Sequence, residues 1–448
     1  MSQQPTLPFM RVVRAFEEFV SSQAFSGVLL VICTLIALVW ANSHYGHFYD
    51  ALNQTKVGFS VGSFGLYKSV KHWVNDGLMA IFFLLVGLEI KREILVGELS
   101  SWRRALLPVV AALGGMLVPA IIFALLNHHD PGALKGWAIP MATDIAFALG
   151  ILSLLGKLVP RSLFVLLSAI AIVDDLGAVI VIAAFYGHGL NWLYLGCAAV
   201  CLCILIGFNV LGVRKLSPYL LIGLVLWFFI FKSGVHATIA GVLLAFTIPA
   251  RLGHTDMTVG EDLKQLLQQF LTAQGSWAVG QGTRAAILQA IEGVLHVLET
   301  PLQRLEHALH YPVTYLIIPI FVLLNAGVHL AAGSGVWLIL LQTLTLGIIL
   351  GLILGKVIGI FGASFIVVKM RWVRLSDDVS LQHILPLSLI AAIGFTMSIF
   401  VSELAYTSGQ QIMMAKIGIL VASLIAACLG YILMRFMCRG DKVLKTEK

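Results

Sequence analysis

Runs of roughly 20 apolar residues recur along this chain from end to end, each long enough to cross a bilayer as a helix. Backbone amides inside a bilayer must be satisfied within their own segment or a closed barrel, and continuous runs of this kind select helices over alternating strands. Of the 448 residues, 59% are hydrophobic and 11% charged. A soluble globular chain carries about twice that charged fraction. The expected fold is an all-α integral membrane protein of about twelve spans.

Those spans are placed at 25–41, 73–90, 106–126, 137–155, 163–185, 192–213, 219–231, 234–249, 313–330, 336–368, 383–404 and 412–434. Residues 1–435 make one transmembrane domain and 436–448 a tail. Residues 1–23, with Arg11, Arg14, Glu17 and Glu18 among apolar residues, predict an interfacial helix. The first apolar run lacks a small-residue cleavage pattern, so it is expected to stay as a span. Residues 56–68 alternate about Gly62-Ser63 and predict an extracytoplasmic β-hairpin.

The formal charge of +7 suggests nucleic acid at first sight, but its distribution argues otherwise. Lys91, Arg92, Arg103, Arg104, Lys157, Arg161, Arg214, Lys215, Arg251, Lys369, Arg371 and Arg374 fall on one side of the predicted spans, with the tail's Arg435, Arg439, Lys442, Lys445 and Lys448. The other side receives Lys56, Lys68, Lys71, Lys135, Lys232 and Lys416. The positive-inside rule then puts both termini in the cytoplasm. The six cysteines lie mostly in apolar runs without neighbouring histidines, a poor pattern for a metal site.

Residues 252–312 break the membrane character. Leu263, Leu266, Leu267, Phe270 and Leu271 share a helical face, as do Ile287, Ile291, Val294, Leu295 and Leu298, while Glu261, Asp262, Lys264, Arg284, Glu292 and Glu299 interrupt any span. Two amphipathic helices on the cytoplasmic surface are expected here.

Four ionisable groups stand deep within predicted spans: Asp144, Asp174, Asp175 and Lys356. Each costs a few kcal/mol in a bilayer, which makes intramembrane charges functional by default. Adjacent helical residues point about 100° apart, so Asp174 and Asp175 face different partners. One is expected to pair with Lys356 and the other to face a water-filled cavity. A carboxylate kept from water and beside a like charge holds a proton firmly. It holds a proton or a small hard cation, but not both, and that competition is the least machinery that exchanges one for the other. A structural ion pair is the plainer alternative.

Thr143-Asp144 follows Pro140 in the fourth span and Gly394-Phe395-Thr396 interrupts the eleventh. Interrupted segments in corresponding halves mark discontinuous helices about a mid-membrane site. Their crossing would bring two helix N-ends together for Asp144 to offset, two C-ends for Lys356, and the Thr143 hydroxyl as an oxygen ligand. Glu89 and Glu93 end the second span, and Glu306, His307 and His310 precede the ninth. They form a titratable patch that is either a solvated helix end or a pH-responsive entrance. His236 lies near the opposite surface.

Several stretches carry a resemblance to one family: Trp-Val-Asn-Asp-Gly-Leu-Met-Ala (73–80), Phe-Phe-Leu-Leu-Val-Gly-Leu-Glu-Ile-Lys-Arg-Glu (82–93), Gly-Trp-Ala-Ile-Pro-Met-Ala-Thr-Asp-Ile-Ala-Phe-Ala-Leu-Gly (136–150) and Val-Asp-Asp-Leu-Gly-Ala (173–178). Lys-Ser-Gly-Val-His-Ala-Thr (232–238), Arg-Leu-Glu-His-Ala-Leu-His (304–310) and Ile-Gly-Phe-Thr-Met-Ser-Ile-Phe (393–400) complete the set. In order and nearly end to end, they make the chain resemble the NhaA family of bacterial sodium/proton antiporters.

The resemblance implies an inverted-repeat fold with spans 4 and 11 broken and crossing. It implies an inner-membrane protein, not an enzyme, that needs no cofactor and exports Na⁺ or Li⁺ against H⁺, two protons per sodium. Asp175 would be the main cation and proton site, with Asp174 as second Na⁺ and proton group and partner of Lys356. Asp144 and Thr143 would lie at the crossing. Glu89, Glu93, Glu306, His307 and His310 would sense pH, with His236 as a further pH-response position, and the hairpin would join a homodimer. The insertion before Arg304 is longer than the family's usual loop, and Ala392 replaces the family's first glycine of span 11. A sodium-coupled symporter is the nearest alternative, although no further intramembrane Arg or His stands ready for an organic anion. An intramembrane aspartyl protease needs a Gly-x-Gly-Asp setting, which does not occur.

Overall fold

The computed structural model describes residues 23–61, 64–187, 189–250, 299–329, 335–373 and 378–446, with single positions 264, 268, 290, 375 and 376. The expected interfacial helix at 1–23, the Gly62-Ser63 turn and most of the 252–298 amphipathic segment lie outside the described residues. The chain starts with α1 (Gln23–Asn42) and α2 (Gly46–Gln54), followed by a hairpin of β1 (Lys56–Val61) and β2 (Phe64–Ser69). Its antiparallel register runs from Lys56 opposite Ser69 to Val61 opposite Phe64, as the alternation predicts. A helical turn Val70–Trp73 and a π-turn Val74–Leu78 lead into α3 (Met79–Leu95).

The long helices α4 (Trp102–Asn127), α6 (Arg161–Phe185), α7 (Trp192–Val210) and α8 (Leu216–Ser233) follow, with the short α5 (Ile145–Ser153) between α4 and α6. Helix α9 (Ile239–Thr247) closes the first half. The second half contains α10 (Pro301–Pro312) with α11 (Ile318–Asn325), α12 (Thr343–Leu350) with α13 (Gly362–Lys369), α14 (Leu381–Ala391), α15 (Phe395–Ala405) and α16 (Gly409–Thr446).

Among the described residues, eight helices are long and apolar enough to cross a membrane, and ten if each of two bent pairs counts as one span. The bent pairs are the two expected breaks. Pro131–Met141 meets α5 at 44°, and α14 meets α15 at 48°. Two expected spans are not among the ten. Helix α3 is divided from its first turns by the π-turn, and α9 has only nine residues.

The other differences concern boundaries. Pro301 to Asn325 is one long apolar helix, so the ninth span begins twelve residues before Val313 and takes up the end of the 252–312 segment. Thr300 opens it with a reciprocal cap, its hydroxyl accepting from the Gln303 amide while the Gln303 side chain accepts from the Thr300 amide. Lys416, expected in an outer loop, is buried inside α16.

Close packing without side chains seats the helix that carries Lys356. Gly347, Gly351, Gly355 and Gly359 recur every four residues and present one bare stripe to α4. A Cβ at Gly355 would lie 2.6 Å from Pro119 Cα, and one at Gly359 would lie 2.1 Å from the Gly114 carbonyl oxygen. Two π-turns, Gly351–Gly355 and Val357–Phe361, flank Lys356 in this run. Single π-turns interrupt α-helices mostly where function requires it. On the other side, α1 meets α5 through Gly27, whose Cβ would approach Gly150 Cα at 3.3 Å.

Candidate functional site

The crossing of the two bent pairs is where the buried charges converge. The chain leaves the turn Ile139–Met141 extended, and Asp144 starts α5 by accepting from the Phe147 amide at 2.9 Å. The Asp144 amide donates to the Ile393 carbonyl at 2.7 Å, which stitches one break to the other. Its second carboxylate oxygen accepts from the Thr396 amide at 3.0 Å and the Thr396 hydroxyl at 2.5 Å. Asp144 therefore caps α5 and α15 together, satisfying amides that would otherwise be orphans at two positive helix ends.

Gly394 allows this approach for a steric reason. Its φ is −91°, open to any residue, but a Cβ there would lie 2.2 Å from Ser398 Oγ and 3.0 Å from the Ala142 carbonyl. The break forms although position 392 is alanine: the Ala392 and Ile393 amides turn back to Leu389 and Ile390, and the helix stops.

One residue before Asp144, Thr143 meets the C-end of α14. Lys356 Nζ donates to the Thr143 hydroxyl oxygen at 2.9 Å and to Asp174 Oδ2 at 2.5 Å, with both charged side chains fully buried. The Thr143 hydroxyl lies 2.7 Å from Asp174 Oδ2 and 2.9 Å from the Ala391 carbonyl, the end of α14. A hydroxyl has one proton, so it donates to one of the two at a time. Lys356 thus reaches the negative end of α14 through a threonine, and the acid it pairs with is Asp174.

Asp175 points elsewhere, as the helical offset requires. It lines a cavity of about 410 Å³ that also contains Asp144, Thr396, Ser26, Ser168 and Glu89 and reaches Glu306, His307 and His310. Neither Asp174 nor Lys356 lines it. Asp175 Oδ1 and Asp174 Oδ1 are buried oxygens with no hydrogen-bond partner among the described residues. A buried acceptor left unpaired costs about 1–3 kcal/mol unless a proton, water or cation fills the place. The arrangement separates one acid bonded to a lysine from one that lines a cavity.

The expected entrance residues divide. Glu89, Glu306, His307 and His310 share the cavity. Arg92, which the sequence offered only as a loop charge, joins them and donates to Glu306 at 2.5 Å. Glu93 turns away. It meets Arg92 at 3.2 Å, accepts from the Glu98 amide and lines a separate pocket with Ser168. His236 stands apart from the cavity, 3.8 Å from Asp76, with its ring against Phe400. Two further charged residues in helices, Asp76 and Glu403, were not singled out from the sequence, and Lys416 was placed in an outer loop. Their signal was a charge close to a span end, where a solvated position is the usual outcome.

A multi-pass helical bundle with two broken helices crossing at buried, paired and unpaired acids is the architecture of an ion-coupled secondary transporter. Comparison with known proteins agrees. Residues 17–434 match the family described as Na⁺/H⁺ antiporter 1. A Saccharophagus degradans protein named Na(+)/H(+) antiporter NhaA 1 is 46% identical over 427 residues, covering 95% of this chain and 92% of its own length. Similar proteins named Na(+)/H(+) antiporter NhaA are found in Oleidesulfovibrio alaskensis, 48% identical with 97% and 96% covered, and in Sulfurimonas denitrificans, 43% identical with 96% and 97% covered. The chain belongs to the Na⁺/H⁺ antiporter 1 family, a family of transporters.

Proposed function

We propose that this protein exports Na⁺, and Li⁺ in its place, in exchange for protons, and that Asp175 is where the two cargoes compete. The observation that supports this reading is the asymmetry of the acid pair. Asp174 is paired with Lys356 and bonded to the Thr143 hydroxyl, whereas Asp175 lines the cavity, which neither Asp174 nor Lys356 does. Asp174, with one oxygen still unpaired, serves as the second proton and cation group. Asp144 and Thr143 hold the crossing helices in place and lend oxygen atoms beside it.

Two protons per sodium make the cycle electrogenic, so the membrane potential drives export. The ring of Glu89, Glu306, His307 and His310 at the cavity, with Glu93 close by and His236 at the opposite end, provides groups through which pH governs the rate. Twelve spans in an inverted repeat, both termini in the cytoplasm, an inner-membrane location and a homodimer paired through the 56–68 hairpin complete the reading. It rests on the charge asymmetry of the loops and on family membership.

Purified protein in liposomes bearing an imposed pH gradient tests this. Na⁺ and Li⁺ should each dissipate the gradient, K⁺ should not, and a valinomycin-clamped potential should change the rate. A gradient indifferent to all three cations contradicts the proposal. A gradient that responds only when an organic solute is added identifies a symporter instead.

A further inference from the structure

Glu403, in the last turns of α15, accepts from Lys71 and from Lys416, each at 2.7 Å and both at the same oxygen. Lys416 belongs to α16, which packs directly on α15. Lys71 belongs to the turn between the hairpin and α3, 332 residues away. The helical run from Lys71 through the π-turn and α3 reaches Arg92 beside Glu306, so the two ion pairs lie about 30 Å apart near its opposite ends. The cavity with Asp175 opens at the Arg92 end. A second cavity of about 670 Å³ occupies the hairpin end and is lined by Lys71 and Lys416.

Between the two cavities stands α15. Thr396, bonded to Asp144, and Glu403 are seven residues apart, on one face and about 10 Å along the axis. Phe400 lies between them, fully buried, with its ring against Phe83 of α3, Phe321 of α11 and His236. The hydrophobic burial of these rings is non-directional, whereas a short ion pair fixes one register. We propose that Glu403, through its bond to Lys71, is a positioning residue that holds α15 against the turn leading into α3 and keeps the two cavities separated. Release of this bond lets the wall around Phe400 part. Lys416 stays with α15 on either side of that movement. The inference rests on the transport reading given above.

The test uses full-length chains whose six native cysteines are alanine, with Ala237→Cys, a buried position next to His236, as reporter. A membrane-impermeant thiol reagent is applied to each side of sealed vesicles in turn. Lys71→Met and Glu403→Gln should raise labelling from one side by about fivefold or more, the reach of a modest coupling energy. Lys416→Met, which leaves the Lys71 bond in place, should not. Unchanged labelling in Lys71→Met, or the same rise in Lys416→Met, overturns the proposal.

A second measurement avoids variants that fold poorly. In Lys71→Cys/Glu403→Cys, a short bifunctional thiol cross-linker should stop Na⁺-driven proton movement, and reduction should restore it. Transport that continues when cross-linked overturns the tie alone. Absence of Na⁺-driven proton movement before cross-linking, in the cysteine-free parent as well, overturns the transport reading instead.

Discussion

The Asp144 carboxylate and the Thr396 residue hold two helices from opposite halves of the chain by one shared cap: Oδ2 takes both the amide and the hydroxyl of Thr396, while Oδ1 takes the Phe147 amide. Neither short helix has enough residues to be stable alone. Each is held at its first turn by the same acid, so the crossing is a single cooperative unit.

Asp144→Ala should therefore remove two caps at once, about 1 kcal/mol for each. Thermal unfolding in detergent should show a melting temperature lower by roughly 2–5 °C. Asp144→Asn, which keeps an acceptor, should lose less. Equal losses in the two variants would show that charge, not capping, is the contribution.

Lys356 and Asp174 form a fully buried pair. Removing one partner of such a pair costs about 3–5 kcal/mol, because a charge is left buried and unmatched. Lys356→Met should melt well below the parent, and Lys356→Met/Asp174→Asn should recover most of the loss. A single variant with parental melting behaviour would remove the ion pair from the account.

Gly394→Ala tests the packing of the crossing. The added methyl meets Ser398 Oγ, itself bonded to the Ile139 carbonyl, together with Leu352 and the Ala142 carbonyl. Overpacking of this kind costs about 1–3 kcal/mol. The variant should insert, melt lower and exchange slowly. Gly394→Ala combined with Ser398→Ala should regain part of both, since the nearest obstacle is then gone.

The centre of this molecule was legible in the sequence because polar residues inside apolar runs stand out. Asp174, Asp175, Lys356 and the Thr143-Asp144 pair announce themselves by position, and the helical offset alone assigns Asp174 and Asp175 to different partners. Pro140 and Gly394 mark the breaks. What could not be read is what depends on tertiary pairing. Glu403 and Lys416 lie where a span end would be solvated, and only the approach of Lys71 across the fold makes them a buried cluster. Arg92 looked like a positive-inside residue until α10 brought Glu306 to it. Glu93 and His236 matched the family pattern by sequence, yet they point away from the cavity that the other entrance residues share. The early start of the ninth span was hidden because Arg304, Glu306, His307 and His310 dilute the apolar signal of a helix that is nevertheless continuous.

Proton release on sodium binding tests the central claim most directly. Purified protein in weakly buffered detergent solution is given NaCl at constant ionic strength, and the bulk pH is followed. The account predicts that Na⁺ and Li⁺ expel protons, that K⁺ does not, and that Asp175→Asn, although folded, expels markedly fewer. Sodium bound with no proton released, or release undiminished in Asp175→Asn, would contradict it.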